Sequence, residues 1–340
     1  MSFGIEIINQ GSIFDGHIHT RNSDGSLTAR EHLRIIATYN QAIADGAIKA
    51  EPLQHIAFTD HHTAKTFDES KYLARGYGIN LIPGIEISTR DFSSCHVLGY
   101  GMSDRELLNK TYKATSAMRE KKLLHFIDVL ELDYKIMLDP NWVQDMAETH
   151  TLSRKKIIHK AQPLCRNLSL KKIFENEVGP AEAEQAHAHK HTAAQAIKTI
   201  RAGGGVAVLA HPWSWKKRES GNTLRFREFE KHLEGLLDAG LQGIEIPQNQ
   251  DKNSAGFYEQ VIKDHGLLRV GGSDMHHPNE RKLGNMAITH DNVDALLEQI
   301  DHNNREVNKK TRLHVVANKG IGFPRKPLIK ETVDNAQTNI

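Results

Sequence analysis

Short apolar runs recur along the chain, each bounded by polar or turn-forming residues. They fall at 14–20, 55–60, 79–87, 95–100, 206–210, 241–246 and 268–272. Runs of this length read as buried strands. Between them, apolar positions recur at helical spacing. Leu33, Ile36, Ala37 and Ala44 mark a helix that begins at Thr28, and Phe226, Phe229, Leu233, Leu236 and Leu237 mark another. Further helices are expected to about Tyr77, over Thr192–Ala202 before Gly203-Gly204-Gly205, up to about His265, and over Asn292–Ile300. Strands alternating with helices predict an α/β fold with a parallel sheet. Pro83 and Gly84 interrupt the third strand region.

From about 103 to 192 the rhythm changes and no strand pattern is present. Leu123, Ile127 and Leu130 fit one helical stripe, and short helices are expected near 139–149, 152–162 and 168–177. The expected organisation is an α/β unit of residues 1–102 and 193–300, a helical insertion of 103–192 and a basic C-terminal tail of 301–340. The composition is that of an ordinary soluble protein, with 39% hydrophobic residues, 25% charged residues and a net charge of +2. No apolar run approaches the roughly 18 residues of a membrane span, and MSFGIEIINQGS lacks the features of a signal peptide. Cys95 and Cys165 are the only cysteines, which predicts a reducing, cytoplasmic setting. Neither a membrane nor an obligate protein partner is expected.

The unusual count is 21 histidines. His17, His19, Asp24, Asp60, His61, Glu86, His96, His211, Asp274 and His276 all fall at or just beyond the C-terminal ends of expected strands, the end that carries chemistry in α/β folds. Alternation along the first strand points Asp15, His17 and His19 to one face. Ten donors exceed one tetrahedral site and suit two or three ions. Nitrogen and carboxylate ligands without thiolate favour Mn²⁺, Fe²⁺ or Zn²⁺. His32, His125, His159 and His232 are read as surface residues, and His187-Ala188-His189-Lys190-His191 as a loop.

Six segments carry a family resemblance. Asp15-Gly16-His17-Ile18-His19-Thr20 with Ser23-Asp24-Gly25, Thr59-Asp60-His61, Pro83-Gly84-Ile85-Glu86, His96-Val97-Leu98-Gly99-Tyr100, Ala210-His211-Pro212 and Gly272-Ser273-Asp274-Met275-His276 resemble the PHP (polymerase and histidinol phosphatase) family of metal phosphoesterases. The resemblance implies a distorted, TIM-like seven-stranded (β/α)7 barrel with a helical insertion after the fourth strand. It implies a trinuclear centre, with manganese as the first choice of metal. His17, His19, Asp24, His61, Glu86, His96, His211, Asp274 and His276 become the ligands, while Asp60 either ligates or orients a ligand. The insertion resembles that of the branch containing 3′,5′-nucleoside bisphosphate phosphatases and 5′-3′ exonucleases. Ser153-Arg154 stands where that branch has Thr-Arg, with Lys155 and Lys156 replacing Gly-His, and His62 replaces an Asp.

The expected reaction is hydrolysis of a phosphomonoester, or exonucleolytic cleavage of short oligonucleotides, by metal-bridging hydroxide. Glu86 and Asp274 position the cluster, and the leaving oxygen needs a proton or a metal contact, for which Asp60, His62 and His277 are the candidates. Seven cations and no acid lie between Thr151 and Phe174. They form either a solvated face or a clamp in which Arg154 and Lys155 hold a second phosphate. Trp213 and Trp215 either stack on a base or pack against the insertion. The alternatives are a histidinol-phosphatase-like metabolite phosphatase and a non-catalytic, metal-stabilised interaction module.

Overall fold

The structure is a computed structural model that describes residues 13–148, 152–178, 190–216, 222–246, 252–284 and 288–319. Seven strands form one curled sheet in sequence order: β1 (Phe14–Ile18), β2 (His55–Phe58), β3 (Asn80–Ser88), β4 (His96–Tyr100), β5 (Val206–Ala210), β6 (Gly243–Glu245) and β7 (Leu268–Val270). The expected parallel sheet is instead mixed. β4 runs antiparallel to both β3 and β5, and the other neighbours are parallel. The physical reason is the short link from Ser88 to His96, which cannot hold a crossover helix. β3 is also unbroken at Pro83 and Gly84. The ladder to β2 runs up to Pro83 and pairing with β4 begins at Gly84, so the dipeptide marks where a second partner joins.

The helices alternate with the strands as expected: α1 (Ala29–Ala44), α2 (Lys65–Gly76), α3 (Arg105–Leu132), α4 (Pro140–Glu148), α5 (Arg154–Ala161), α6 (Leu170–Ile173), α7 (Ala193–Ala202), α8 (Phe226–Asp238), α9 (Lys252–His265) and α10 (His290–Lys319). Thr28 and Glu31 close a capping box at the start of α1. The last helix does not stop near Ile300. It continues into the segment expected to be a tail, because no Gly or Pro interrupts it before Gly320.

α3 joins two cores. Its first half buries Leu108 and Tyr112 with the sheet and α7, whereas Leu123, Phe126, Ile127 and Leu130 pack with Ile157, Leu170 and Ile173 of the insertion. At 1.5 Å per residue its 28 residues span about 42 Å. Side chains near its middle therefore stand at the seam between sheet and insertion.

The segment after β7 returns to β1. Gly16 N–H donates to Gly271 O and His19 N–H to Met275 O, both at 3.0 Å. Asp15 fixes this junction by accepting from the backbone N–H groups of His17, Ser273 and Gly284. Its side chain therefore serves the backbone, not a shared face with His17 and His19. A Cβ at Gly272 would lie 2.2 Å from the Cβ of His17, so only glycine permits the approach. Gly272→Ala is expected to lower stability by roughly 1–3 kcal/mol. An unchanged melting temperature would contradict this packing.

Candidate metal centre

The sheet brings nine of the ten strand-end candidates into one cluster. His17 and His19 follow one another out of β1, with their Nε2 atoms 3.2 Å apart. Residues 60–62 extend the β2–β3 ladder, since Glu86 N–H donates to Asp60 O and His62 N–H to Glu86 O. This seats His61 Nδ1 3.1 Å from Glu86 Oε2. His96 is the first residue of β4, yet the reversed direction of that strand places it at the same sheet edge, paired with Ser88 and Ala210. Its Nδ1 lies 2.6 Å from Glu86 Oε1, and His211 Nε2 lies 3.2 Å from the same oxygen. Beyond β7, Asp274 Oδ1 lies 3.3 Å from His19 Nε2 and 3.5 Å from His17 Nε2. The His276 ring stacks on His19 with centroids 4.0 Å apart.

Three groups of donors result: His19, Asp24, His61 and His276; His17, His19 and Glu86; and Glu86, His96 and His211. Within each group the donor atoms lie within 4.8 Å of one another. Backbone strain accompanies them. Of the five non-glycine residues with positive φ among the described residues, three are His62, His211 and Asp274. Such strain persists where surrounding structure enforces it.

The donor set fits metal ions on a second ground. Asp24 Oδ1, His61 Nδ1 and Glu86 Oε2 are buried and have no hydrogen-bond partner. Leaving such atoms unsatisfied is costly, and divalent cations held by the donor groups to which these residues belong would satisfy them. Burial opposes charge throughout the cluster; opposite charges prevail for Glu86, Asp24, Asp274, His17, His19 and His211, and burial prevails for His61 and His96. His96, His61 and His17 hold the Glu86 carboxyl well below its usual range, and His61 and His276 do the same for Asp24. Against its burial, His17 is raised well above an ordinary imidazole by Glu245, Glu86 and Asp274. Asp274 and Glu86 likewise push His19 up to about 10. Burial pulls His61 well below the usual imidazole value.

Asp60 is not part of the cluster. Its carboxylate accepts from Thr20 N–H (2.8 Å), Thr20 Oγ1–H (2.7 Å), Ser23 Oγ–H (2.6 Å) and Thr66 Oγ1–H (2.6 Å). Four donors leave it little capacity to ligate or protonate. It pins the loop that carries Asp24. His32, expected at the surface, is buried against Phe58, with its Nε2 3.3 Å from the His19 carbonyl. His191 pairs through Nδ1 with Tyr112 Oη at 3.1 Å, whereas His187 and His189 lie outside the described residues.

A cleft of about 260 Å³ opens beside the cluster. Its lining includes Asp24, His61, His62 and His96 together with Phe174 and the cations Arg119, Lys122, Arg154, Lys155 and Lys190. His62 is buried, and burial together with Lys190 and Arg119 drives its pKa well below the ordinary value. Arg154 and Lys155 line the cleft as expected, and Lys155 Nζ also reaches Glu280 Oε2 at 3.1 Å. Trp213 and His277 are not among its lining residues. Trp213 meets His211 and Tyr258 edge-on, and His277 Nδ1 accepts from Asn279 N–H. Trp215 is a core residue between Phe92 and Phe229, and so packs on the sheet side and not on the insertion.

Four further residues matter that were not singled out from the sequence. Glu245 accepts from His211 N–H at 2.7 Å and lies 3.0 Å from His17 Nδ1, which turns His17 Nε2 toward the cluster. A carboxylate at the end of an expected strand was the available signal. Arg281 meets Asp274 Oδ2 at 2.9 Å, and Arg119 meets Asp24 Oδ2 at 3.5 Å. Arg119 and Lys122 carry no signal in the sequence, because only the course of α3 brings them to the cleft.

Fold and donor set together define a class, an α/β protein built to hold divalent metal ions. No family model matches the chain. The chain is 27% identical over 276 residues to a 5′-3′ exoribonuclease of Haemophilus influenzae, covering 78% of this chain and 90% of that protein. It is 26% identical over 272 residues to a 3′,5′-nucleoside bisphosphate phosphatase of Chromobacterium violaceum, covering 78% and 88%. The fold is shared with a Bifidobacterium adolescentis protein assigned as a metal-dependent phosphoesterase. There the TM-score is 0.65 at 22% identity, covering 85% of this chain and 96% of that one. The resemblance drawn from the six motifs therefore holds, and these two relatives bear names of its nucleotide-directed branch.

Ligating imidazoles must be neutral, and metal-free His19, with its pKa of about 10, carries a proton near neutral pH. Mn²⁺ binding is thus expected to release at least one proton. Calorimetric titration in two buffers of different ionisation enthalpy measures this, and binding without proton release would contradict the assignment of His19 as a ligand.

Proposed function

We propose that the chain is a metal-dependent phosphoesterase acting on nucleotides or short oligonucleotides. Its reaction is removal of phosphate from a nucleoside 3′,5′-bisphosphate or stepwise 5′-3′ cleavage. The observation that carries this reading is the cleft, whose lining combines the candidate ligands Asp24, His61 and His96 with five cations, Arg119, Lys122, Arg154, Lys155 and Lys190. A phosphate ester with a second phosphate, or a following phosphodiester, has the charge pattern that such a cleft complements. The names of the relatives favour the same substrates.

The proposed centre holds three ions, with manganese the first choice; the three donor groups support the number, and the nitrogen–oxygen chemistry supports the metal. Bound divalent ions would neutralise phosphate oxygens and lower the pKa of water toward about 7. His17, His19, Asp24, His61, His96, His211, Asp274 and His276 serve as ligands. Glu86 is shared between two donor groups, and Asp60 and Glu245 orient ligand-bearing segments. Arg154 takes the distal phosphate. Of the three side chains considered as partners of the leaving oxygen, His62 is the one that lines the cleft.

The hydrogen bonds from β1 to the segment after β7 support a closed, TIM-like seven-stranded barrel. The separate insertion core supports a division into barrel (1–102 and 193–300) and insertion (103–192). Two free cysteines support a cytoplasmic setting. No helix among the described residues is long and apolar enough to cross a membrane.

The test is a Mn²⁺-loaded substrate panel of nucleoside 3′,5′-bisphosphates, mononucleotides, histidinol phosphate, and short 5′-phosphorylated RNA and DNA. Nucleotide esters are expected to react fastest, and His17→Ala or Asp274→Ala to abolish turnover. Full activity after chelation, or a preference for histidinol phosphate, would overturn the reading. Arg154→Ala should lower kcat/KM on a bisphosphate by about tenfold or more, the scale of one charge-assisted contact. Its effect on a simple aryl phosphate should be much smaller, and equal losses would exclude the clamp.

A further inference from the structure

We infer that Phe174 is a positioning residue for two of the cations that line the cleft, its ring holding Arg154 and Lys122 at the spacing that grips the substrate's second phosphate. The inference rests on the phosphoesterase reading above and adds a residue that neither the motifs nor the relatives point to. Phe174 lines the cleft with both cations. The Arg154 guanidinium carbon lies 5.3 Å from the ring centroid and the Lys122 ammonium 5.1 Å. Both distances fall within the range in which a ring quadrupole attracts a cation. The two cations come from different helices, Lys122 from α3 and Arg154 from the first turn of α5. One aromatic ring is thus the common contact of two otherwise separate side chains.

The ring is itself held. Its centroid lies 5.0 Å from that of the fully buried Phe126, at 82° between planes, a favourable edge-to-face pair. Leu170 and Ile173 bury α6 in the insertion core directly before it. Phe174 then opens a π-helical turn, Phe174–Val178. Such turns re-aim side chains relative to an α-helix and are frequent at functional sites. Long basic side chains lose rotamer freedom when they bind a ligand. Resting on a fixed ring, Arg154 and Lys122 lose less of it at that moment, which raises affinity through preorganisation.

The experiment compares Phe174→Leu, which keeps apolar bulk but removes the π-face, with Phe174→Tyr, which restores it. Steady-state kinetics on the Mn²⁺-loaded protein use adenosine 3′,5′-bisphosphate and an aryl phosphate. Phe174→Leu is expected to raise KM for the bisphosphate by about two- to thirtyfold, the range one cation–π contact spans. The effect should exceed that on the aryl phosphate at least threefold, with kcat changing little. Phe174→Tyr should recover most of the loss. Unchanged KM, equal losses on both substrates, or no recovery by Tyr would overturn the inference. Calorimetric binding of the same bisphosphate to chelator-treated protein gives a second readout, in which Phe174→Leu should weaken Kd by a similar factor. That readout survives if the protein hydrolyses no phosphate ester, so failure of the activity and failure of the clamp are distinguishable. Absence of bisphosphate binding by the unsubstituted protein would also overturn it.

Discussion

The buried carboxylate of Glu86 is the point on which the architecture converges. Five imidazoles stand within 3.4 Å of its oxygens: His17, His19, His61, His96 and His211. They come from four separate segments, so the sheet must bring four chain positions to the edge where Glu86 lies. Burying a charge is tolerable only when it is paired, and one of its oxygens still lacks a hydrogen bond. The protein thus organises a polar site whose own groups do not satisfy it, which is the condition a resident cation resolves. Pairing of this kind also explains why the carboxylates stay ionised and two of the imidazoles resist losing their protons before metal arrives.

Around that centre the fold performs two tasks. The carboxylates of Asp15, Asp60 and Glu245 accept backbone or hydroxyl donors and so fix the segments on which the ligands ride. α3 performs the second. Because it is packed into both cores, it carries Arg119 and Lys122 from the sheet side to the insertion side of the cleft. The histidines and carboxylates of the cleft come from the sheet and the loops at its edge, and its cations from α3, α5 and Lys190.

Much of this was legible in the sequence, for identifiable reasons. Strand-end histidines and carboxylates announce themselves because strand ends are local features, and the ligand candidates other than Asp60 do meet. Asp60 sits in the same pattern but is consumed by hydroxyl donors from Thr20, Ser23 and Thr66, which no periodicity reveals. The reversal of β4 was readable from the short link before His96, and the extension of α10 from the absence of helix breakers before Gly320. Other features were tertiary in origin. His32 looks like a helix-surface residue until α1 packs onto Phe58. Lys122 and Phe174 lie 52 positions apart and meet only because the insertion folds back on α3.

The most direct test of the account is anomalous diffraction from crystals grown with Mn²⁺. The account predicts anomalous peaks among the three donor groups, with Glu86 touching more than one ion. Peaks elsewhere on the protein, or none beside Glu86 under conditions that saturate the protein with Mn²⁺, would contradict it.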